Sequence, residues 1–96
     1  MTETELQAEL EDMCTGLGLL WHHCGDPRRC RGQRGWVDLV AAGEHGMVFI
    51  ELKSAGGQTS AAQDLWHWHL YKGGHTVHVF RPGDLALARK LLENIR

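Results

Sequence analysis

No stretch of this 96-residue chain approaches the roughly 20 consecutive apolar residues that a membrane-spanning helix needs. A membrane is therefore not expected among its partners. The opening residues are acidic and amphipathic instead of basic and then apolar, so no signal peptide is expected and the protein is placed in the cytoplasm. Cysteine is scarce and odd in number: Cys14, Cys24 and Cys30 show no small-scaffold spacing and suit free thiols in a reducing compartment. Neither a C-x2-C nor an H-x3-H pair occurs, and adjacent histidines in a strand point to opposite faces. A mixed zinc site built from His22, His23, Cys24 and Cys30 is accordingly disfavoured. No serine or cysteine has the setting of an activated nucleophile. Excess positive charge is missing too, the net charge being -2, which argues against a protein that simply coats nucleic acid. With no repeats, low-complexity tract or interdomain linker, residues 1–96 read as one domain large enough for a single core.

What is present alternates between helical and strand periodicity. Leu6, Leu10, Met13 and Leu17 recur at helical spacing, which predicts an amphipathic helix from about Glu3 to Leu17. Glu5, Glu9 and Asp12 fall on its solvent side, whereas Glu3 and Gln7 lie beside the apolar stripe, one turn apart. Gly16 and Gly18 end it, and Leu19 to Cys24 reads as a first strand. Gly25 to Gln33 is a loop, with Arg28, Arg29, Arg31 and Arg34 concentrated in and just after it. Beyond a central hairpin and a glycine-bearing connection, Ser60-Ala61-Ala62-Gln63 matches a capping box for a second helix that runs to Gly73-Gly74. Its expected inward stripe is Ala62, Leu65, Trp66, His69 and Leu70. Gln63 and His67 lie along a flank, and Trp68, Tyr71 and Lys72 look outward. His75 to Arg81 alternates as a strand, Pro82-Gly83-Asp84 turns, and Leu85 to Ile95 forms a last helix with Asp84 as N-cap. The order is α-β-β-β-α-β-α. A strand-helix-strand passage implies a parallel crossover, so the sheet is expected to be mixed and four-stranded.

The hairpin, Gly35 to Lys53, carries the chemistry. Alternation sets Val37, Leu39 and Ala41 against Trp36, Asp38 and Val40 on its first strand, and Val48, Ile50 and Leu52 against Met47, Phe49, Glu51 and Lys53 on its second. A two-residue Glu44-His45 turn flanked by Gly43 and Gly46 pairs Asp38 directly with Glu51, their Cβ atoms about 5 Å apart. Like charges so placed repel, and a divalent cation between them resolves the conflict. Asp38, Glu51 and the backbone carbonyl of Leu52 supply hard oxygen ligands suited to Mg²⁺ or Mn²⁺. Lys53, on the same side as Glu51, can orient a water and offset charge on a phosphorane-like transition state. The plainer reading of the same residues is an ion pair on an edge strand.

The run G-W-V-D-L-V, then F-I-E-L-K, then Q-T-S-A-A-Q, an aromatic-rich helix ending K-G-G, and V-F-R-P-G-D resembles the VRR-NUC branch of the PD-(D/E)xK nuclease superfamily over nearly the whole chain. The resemblance implies an α/β restriction-endonuclease-like core and a Mg²⁺- or Mn²⁺-dependent, structure-selective DNA endonuclease without a small-molecule cofactor. Small stand-alone members, often phage-encoded, act as homodimers on branched DNA such as Holliday junctions, which would put this protein in a bacterial host's cytoplasm. By the same resemblance Asp38, Glu51 and Lys53 match the catalytic motif, with Val37 where proline often stands. Gln63 corresponds to a glutamine that helps hold the active site. Glu3, with Gln7 one turn later, is the expected helix-borne contributor to the metal, ahead of the solvent-facing Glu9.

Arg28, Arg29, Arg31 and Arg34, leading into Asp38, suit contacts to DNA phosphates. Trp68 and Tyr71 could stack on splayed bases, but outward aromatics on a short chain better fit a dimer interface. His67 and His69 are expected at the helix surface and in the core, respectively. The alternative function is a DNA-binding or scaffold module with the same fold and little activity.

Overall fold

Thr2 opens the first helix with a reciprocal cap. Its hydroxyl accepts the Glu5 N–H at 3.1 Å while the Glu5 carboxylate accepts the Thr2 N–H at 2.9 Å, satisfying two donors that a helix start leaves free. From this cap the computed structural model, which describes residues 1–26 and 28–96, runs α1 over Glu3–Gly16. Leu6, Leu10, Met13 and Cys14 are buried along it, in line with the periodicity. The helix closes with Gly18 at φ 74°, whose N–H bonds the Thr15 carbonyl, and with the Leu19 N–H on the Cys14 carbonyl at 2.9 Å. That two-bond closure uses Leu19. Strand β1 is therefore only Leu20–His22, shorter than the Leu19–Cys24 run that alternation suggests.

Strands β2 (Leu39–Gly43) and β3 (Gly46–Leu52) form the expected hairpin, with Gly43 facing Gly46 across Glu44-His45. Helix α2 (Ala61–Lys72) carries the chain to β4 (Val77–Phe80), which pairs parallel with β3. The sheet order is β1-β2-β3-β4, antiparallel except for that last pair. A 3-10 turn over Pro82–Asp84 leads into α3 (Leu85–Ile95). The architecture is thus the mixed four-stranded α/β arrangement read from the sequence. Asp84 stands at the N-cap of α3 as expected, but its side chain is used elsewhere. Its carboxylate closes the 3-10 turn by accepting the Arg81 N–H at 2.8 Å and makes no side-chain cap on α3.

Leu39, Ala41, Val48, Ile50 and Leu52 pack with Leu6, Leu10, Ala88 and Leu92 into one core, so α1 and α3 cover the same sheet face. Helix α2 covers the other, and none of its residues is fully buried. It is rotated from the expected orientation. Leu65 is 57% exposed and His69 is exposed, while Ala62, Gln63, Trp66, His67 and Leu70 are half-buried toward the sheet. The reason is polar: this face meets a buried carboxylate, so donors turn inward in place of the most apolar residues.

Two further departures concern the loop after β1. Cys24 and Cys30, expected as free thiols, are joined as a disulfide with Cα atoms 6.4 Å apart, leaving Cys14 as the free, buried cysteine. The Asp26 carbonyl accepts the N–H groups of both Arg29 and Cys30, folding the chain back so that the two cysteines meet. The cysteines therefore no longer speak for a reducing compartment. Pro27, part of the same expected loop, lies outside the described residues. Among the described residues no helix is long and apolar enough to cross a membrane.

The connection after β3 is held from a distance. The Arg81 guanidinium donates to the carbonyls of Ser54 and Gly57, each at 2.7 Å, from 27 and 24 positions away. Leu10 has no solvent exposure, so Leu10→Ala is expected to cost about 2–5 kcal/mol, read as a lower urea midpoint with an unchanged slope.

Candidate active site

Pairing of Leu39 with Ile50 places the preceding Asp38 opposite the following Glu51. The two carboxylates meet there in contrasting surroundings. Asp38 is half-buried at the mouth of the hairpin. One of its oxygens, Oδ2, accepts the Leu52 N–H at 2.7 Å, and its backbone carbonyl lies 2.6 Å from His23 Nδ1. Because the Lys53 N–H bonds the Phe80 carbonyl of β4, strand alternation sends the N–H and C=O of Leu52 toward β2. The Leu52 carbonyl therefore lies on the Asp38 side.

Glu51 has no solvent exposure at all. Its Oε2 accepts from Gln63 Nε2 and its Oε1 lies against His67 Nε2, both at 3.2 Å. Burial first, then the hydrogen bond and charge of Asp38, push the Glu51 carboxyl up to about 9, opposed in part by Lys53. Burial also lowers the His67 imidazole. The Glu51–His67 contact has ion-pair distance, yet both shifts favour the neutral forms, so it is a hydrogen bond between uncharged groups at neutral pH. Keeping Glu51 in its neutral form relieves the like-charge conflict with Asp38. Among the described residues no buried side-chain polar atom lacks a partner.

Lys53 follows Glu51 by two residues on the same strand face, half-buried, and makes no ion pair among the described residues. Its ammonium is thus uncommitted. On the other side of Asp38, a cavity of about 140 Å³ is lined by Glu3, Thr4, Gln7, His23, Asp38 and Leu52. Helix α1 therefore delivers Glu3 and Gln7 to the cavity that Asp38 faces, with the Gln7 amide donating to Glu11 at 2.7 Å. Asp38, the Leu52 carbonyl and Glu3 around the cavity, with Glu51 buried beside Asp38, are oxygen donors of the kind that suits Mg²⁺ or Mn²⁺. Among the described residues no three His, Cys, Asp or Glu side chains already converge on a metal-binding point, neither here nor around the His22, His23, Cys24 and Cys30 group.

No family model and no curated protein matches the chain. A solved structure described as a VRR_NUC domain protein does, with a TM-score of 0.68 and 22% identity over 95% of this chain and 86% of that one. This chain has the fold of a VRR_NUC domain protein. On that VRR_NUC fold the structure brings Asp38, Glu51, Lys53, Leu52 and Gln63 to one end of the hairpin, with Glu3 and Gln7 at its edge. Arg28, Arg31 and Arg34 line a broad groove that also reaches Asp38 and Gln63. Arg29 is not among that lining. It pairs with Asp26 at 3.6 Å, as Arg28 does at 3.3 Å, and both guanidinium groups remain about nine-tenths exposed, with side-chain exposures of 88% and 91%. Such pairs hold little energy.

His67 is the residue that sequence reading missed. It lies one turn beyond Gln63, and that spacing was the available signal: a helix that turns Gln63 inward turns residue 67 inward as well.

The raised Glu51 carboxyl has a sign that can be checked. Its stabilising contribution is complete below about pH 4.5, the ordinary value, and is lost as pH rises through about 9. Metal-free protein should therefore lose stability across that window relative to Glu51→Gln, which mimics the protonated acid. Urea unfolding of both in chelator, at several pH values, measures this. A constant difference between them would show that Glu51 is ionised throughout.

Proposed function

We propose that this chain is a Mg²⁺- or Mn²⁺-dependent deoxyribonuclease that hydrolyses phosphodiester bonds in branched or otherwise structured DNA. The observation that carries the reading is the buried Glu51 carboxyl opposite the half-buried Asp38, with an uncommitted Lys53 on the same strand face, on a VRR_NUC fold. Asp38, Glu51 and the Leu52 carbonyl would hold the ion, with Glu3 and Gln7 completing its surroundings from α1. When bound, it supplies Lewis acidity at a phosphate oxygen and a more acidic water.

The protein's own groups do the rest. Gln63 and His67 fix the Glu51 carboxylate by one hydrogen bond to each oxygen, which leaves a lone pair on each for the ion. Lys53 orients the attacking water and offsets the negative charge that builds on the phosphate oxygens. Arg28, Arg29, Arg31 and Arg34 engage flanking phosphates. The outward Leu65, Trp68 and Tyr71 of α2, 57%, 53% and 69% exposed, support a homodimer, in which two sites could nick one branched substrate in concert. A cytoplasmic setting, in a bacterial host if the protein is phage-encoded, goes with a DNA substrate.

Purified protein incubated with Mn²⁺ and synthetic junction, flap and duplex DNAs should cut the junction fastest. Binding without cutting of any of them would assign a DNA-binding or scaffold module. Lys53→Ala should slow cleavage by about 10²- to 10³-fold while junction affinity, read by anisotropy, holds steady. Equal rates would make the lysine structural. Replacing Arg31 and Arg34 together with alanine should flatten the slope of log affinity against log salt by about one for each phosphate that is no longer neutralised.

A further inference from the structure

The arginine-lined groove has an aromatic floor that the proposed phosphodiester chemistry does not use. Trp36 precedes β2 by three positions and remains 37% exposed, although its ring meets Trp66 at 4.8 Å and Phe49 at 6.0 Å, both edge-to-face. Trp36 and Trp66 line the same groove as Arg28, Arg31 and Arg34. The wall that carries the arginines is anchored twice to α2. The Trp66 indole N–H donates to the Gln33 carbonyl at 3.2 Å. Gly35, at φ 93°, packs so closely that a Cβ there would overlap the Ala62 backbone and sit 2.7 Å from Gln63 N. The groove is therefore built before any ligand arrives.

Its chemistry is specific in kind. Exposed indole offers a planar apolar surface. Arg31 and Arg34 make no ion pair among the described residues, so the rim is cationic. The same groove reaches Asp38, where the scissile phosphate would lie. A ligand with a flat aromatic body and anionic groups at its edge satisfies all three features, and a nucleotide is such a ligand. In a paired duplex the bases are stacked and their faces are closed. Only a base outside the stack can lie on this floor, and the cost of extrusion is least where the base is already unpaired.

We propose that the Trp36–Trp66 groove takes up one unpaired nucleobase beside the scissile phosphate, so that the site selects DNA with a base already out of the helix. This rests on the nuclease reading above and names the local feature of the substrate it would recognise. Stacking on the indole is tolerant of sequence because every base has a π-face. The groove would thus read the unpaired state and not base identity.

The test uses the full chain in chelator, with fluorescence anisotropy against three matched DNAs: a fully paired duplex, the same duplex with a one-nucleotide bulge, and the bulge carrying an abasic residue. The base-bearing bulge should bind about 5- to 100-fold more tightly than the abasic one, and 2-aminopurine in the bulge should lose fluorescence on binding. Trp36→Leu keeps apolar bulk on Phe49 but removes the indole plane. It should bring the two bulges to equal affinity and leave the paired duplex unchanged. Equal affinity of the wild-type protein for base-bearing and abasic bulges overturns the proposal. That comparison needs no variant and decides the matter even if Trp36→Leu does not fold. The two readings fail separately: junction cleavage without base preference removes the groove alone, while neither binding nor cutting of any DNA removes both.

Discussion

A carboxylate with no access to solvent, set opposite a second carboxylate, is the condition to which the rest of this structure answers. Glu51 sits on the central pair of strands, where β2 and β4 occupy both of its backbone edges and helices cover both faces. Such a group cannot hold its charge unaided. Gln63 and His67 reach it from α2, Asp38 beside it favours its protonated form, and the Leu52 amide fixes Asp38 in turn. On the nuclease reading, the proton is a placeholder for a divalent cation. Metal affinity would then be coupled to proton release, since the ligands must be deprotonated to serve.

The hairpin and its consequences were legible because they follow from short-range rules. Two glycines around a two-residue turn determine a register, the register determines which residues oppose, and period-2 alternation determines their face. Asp38 opposite Glu51 needed nothing more. Helix α1 was equally readable, since its buried side is the apolar side and Glu3 and Gln7 border it. The solved VRR_NUC neighbour agrees with the element order that these rules predict.

What escaped sequence reading has a common cause. Hydrophobic periodicity locates the inward face of a helix only if that face meets an apolar surface. The sheet surface under α2 contains Glu51, so the helix turns Gln63 and His67 toward it and leaves Leu65 exposed. The misjudged rotation and the overlooked His67 are one error, made where local pattern and polar demand conflict. That is where functional sites tend to defeat such reasoning. The Cys24–Cys30 pairing was hidden for another reason. It depends on the Asp26 turn, and a five-residue spacing between cysteines carries no sign of how the intervening chain bends.

Arg81 ties the state of the whole chain to the segment that leaves the site. The carbonyls of Ser54 and Gly57, immediately beyond Lys53, find their donor on a residue that follows β4. During folding, closing that bridge requires β4 to be laid beside β3 first, across an intervening helix, and long-range parallel pairing is intrinsically slow. Until then the exit from Lys53 lacks its brace. A chain without the β3–β4 pairing would carry both carboxylates with the segment beyond the lysine unbraced.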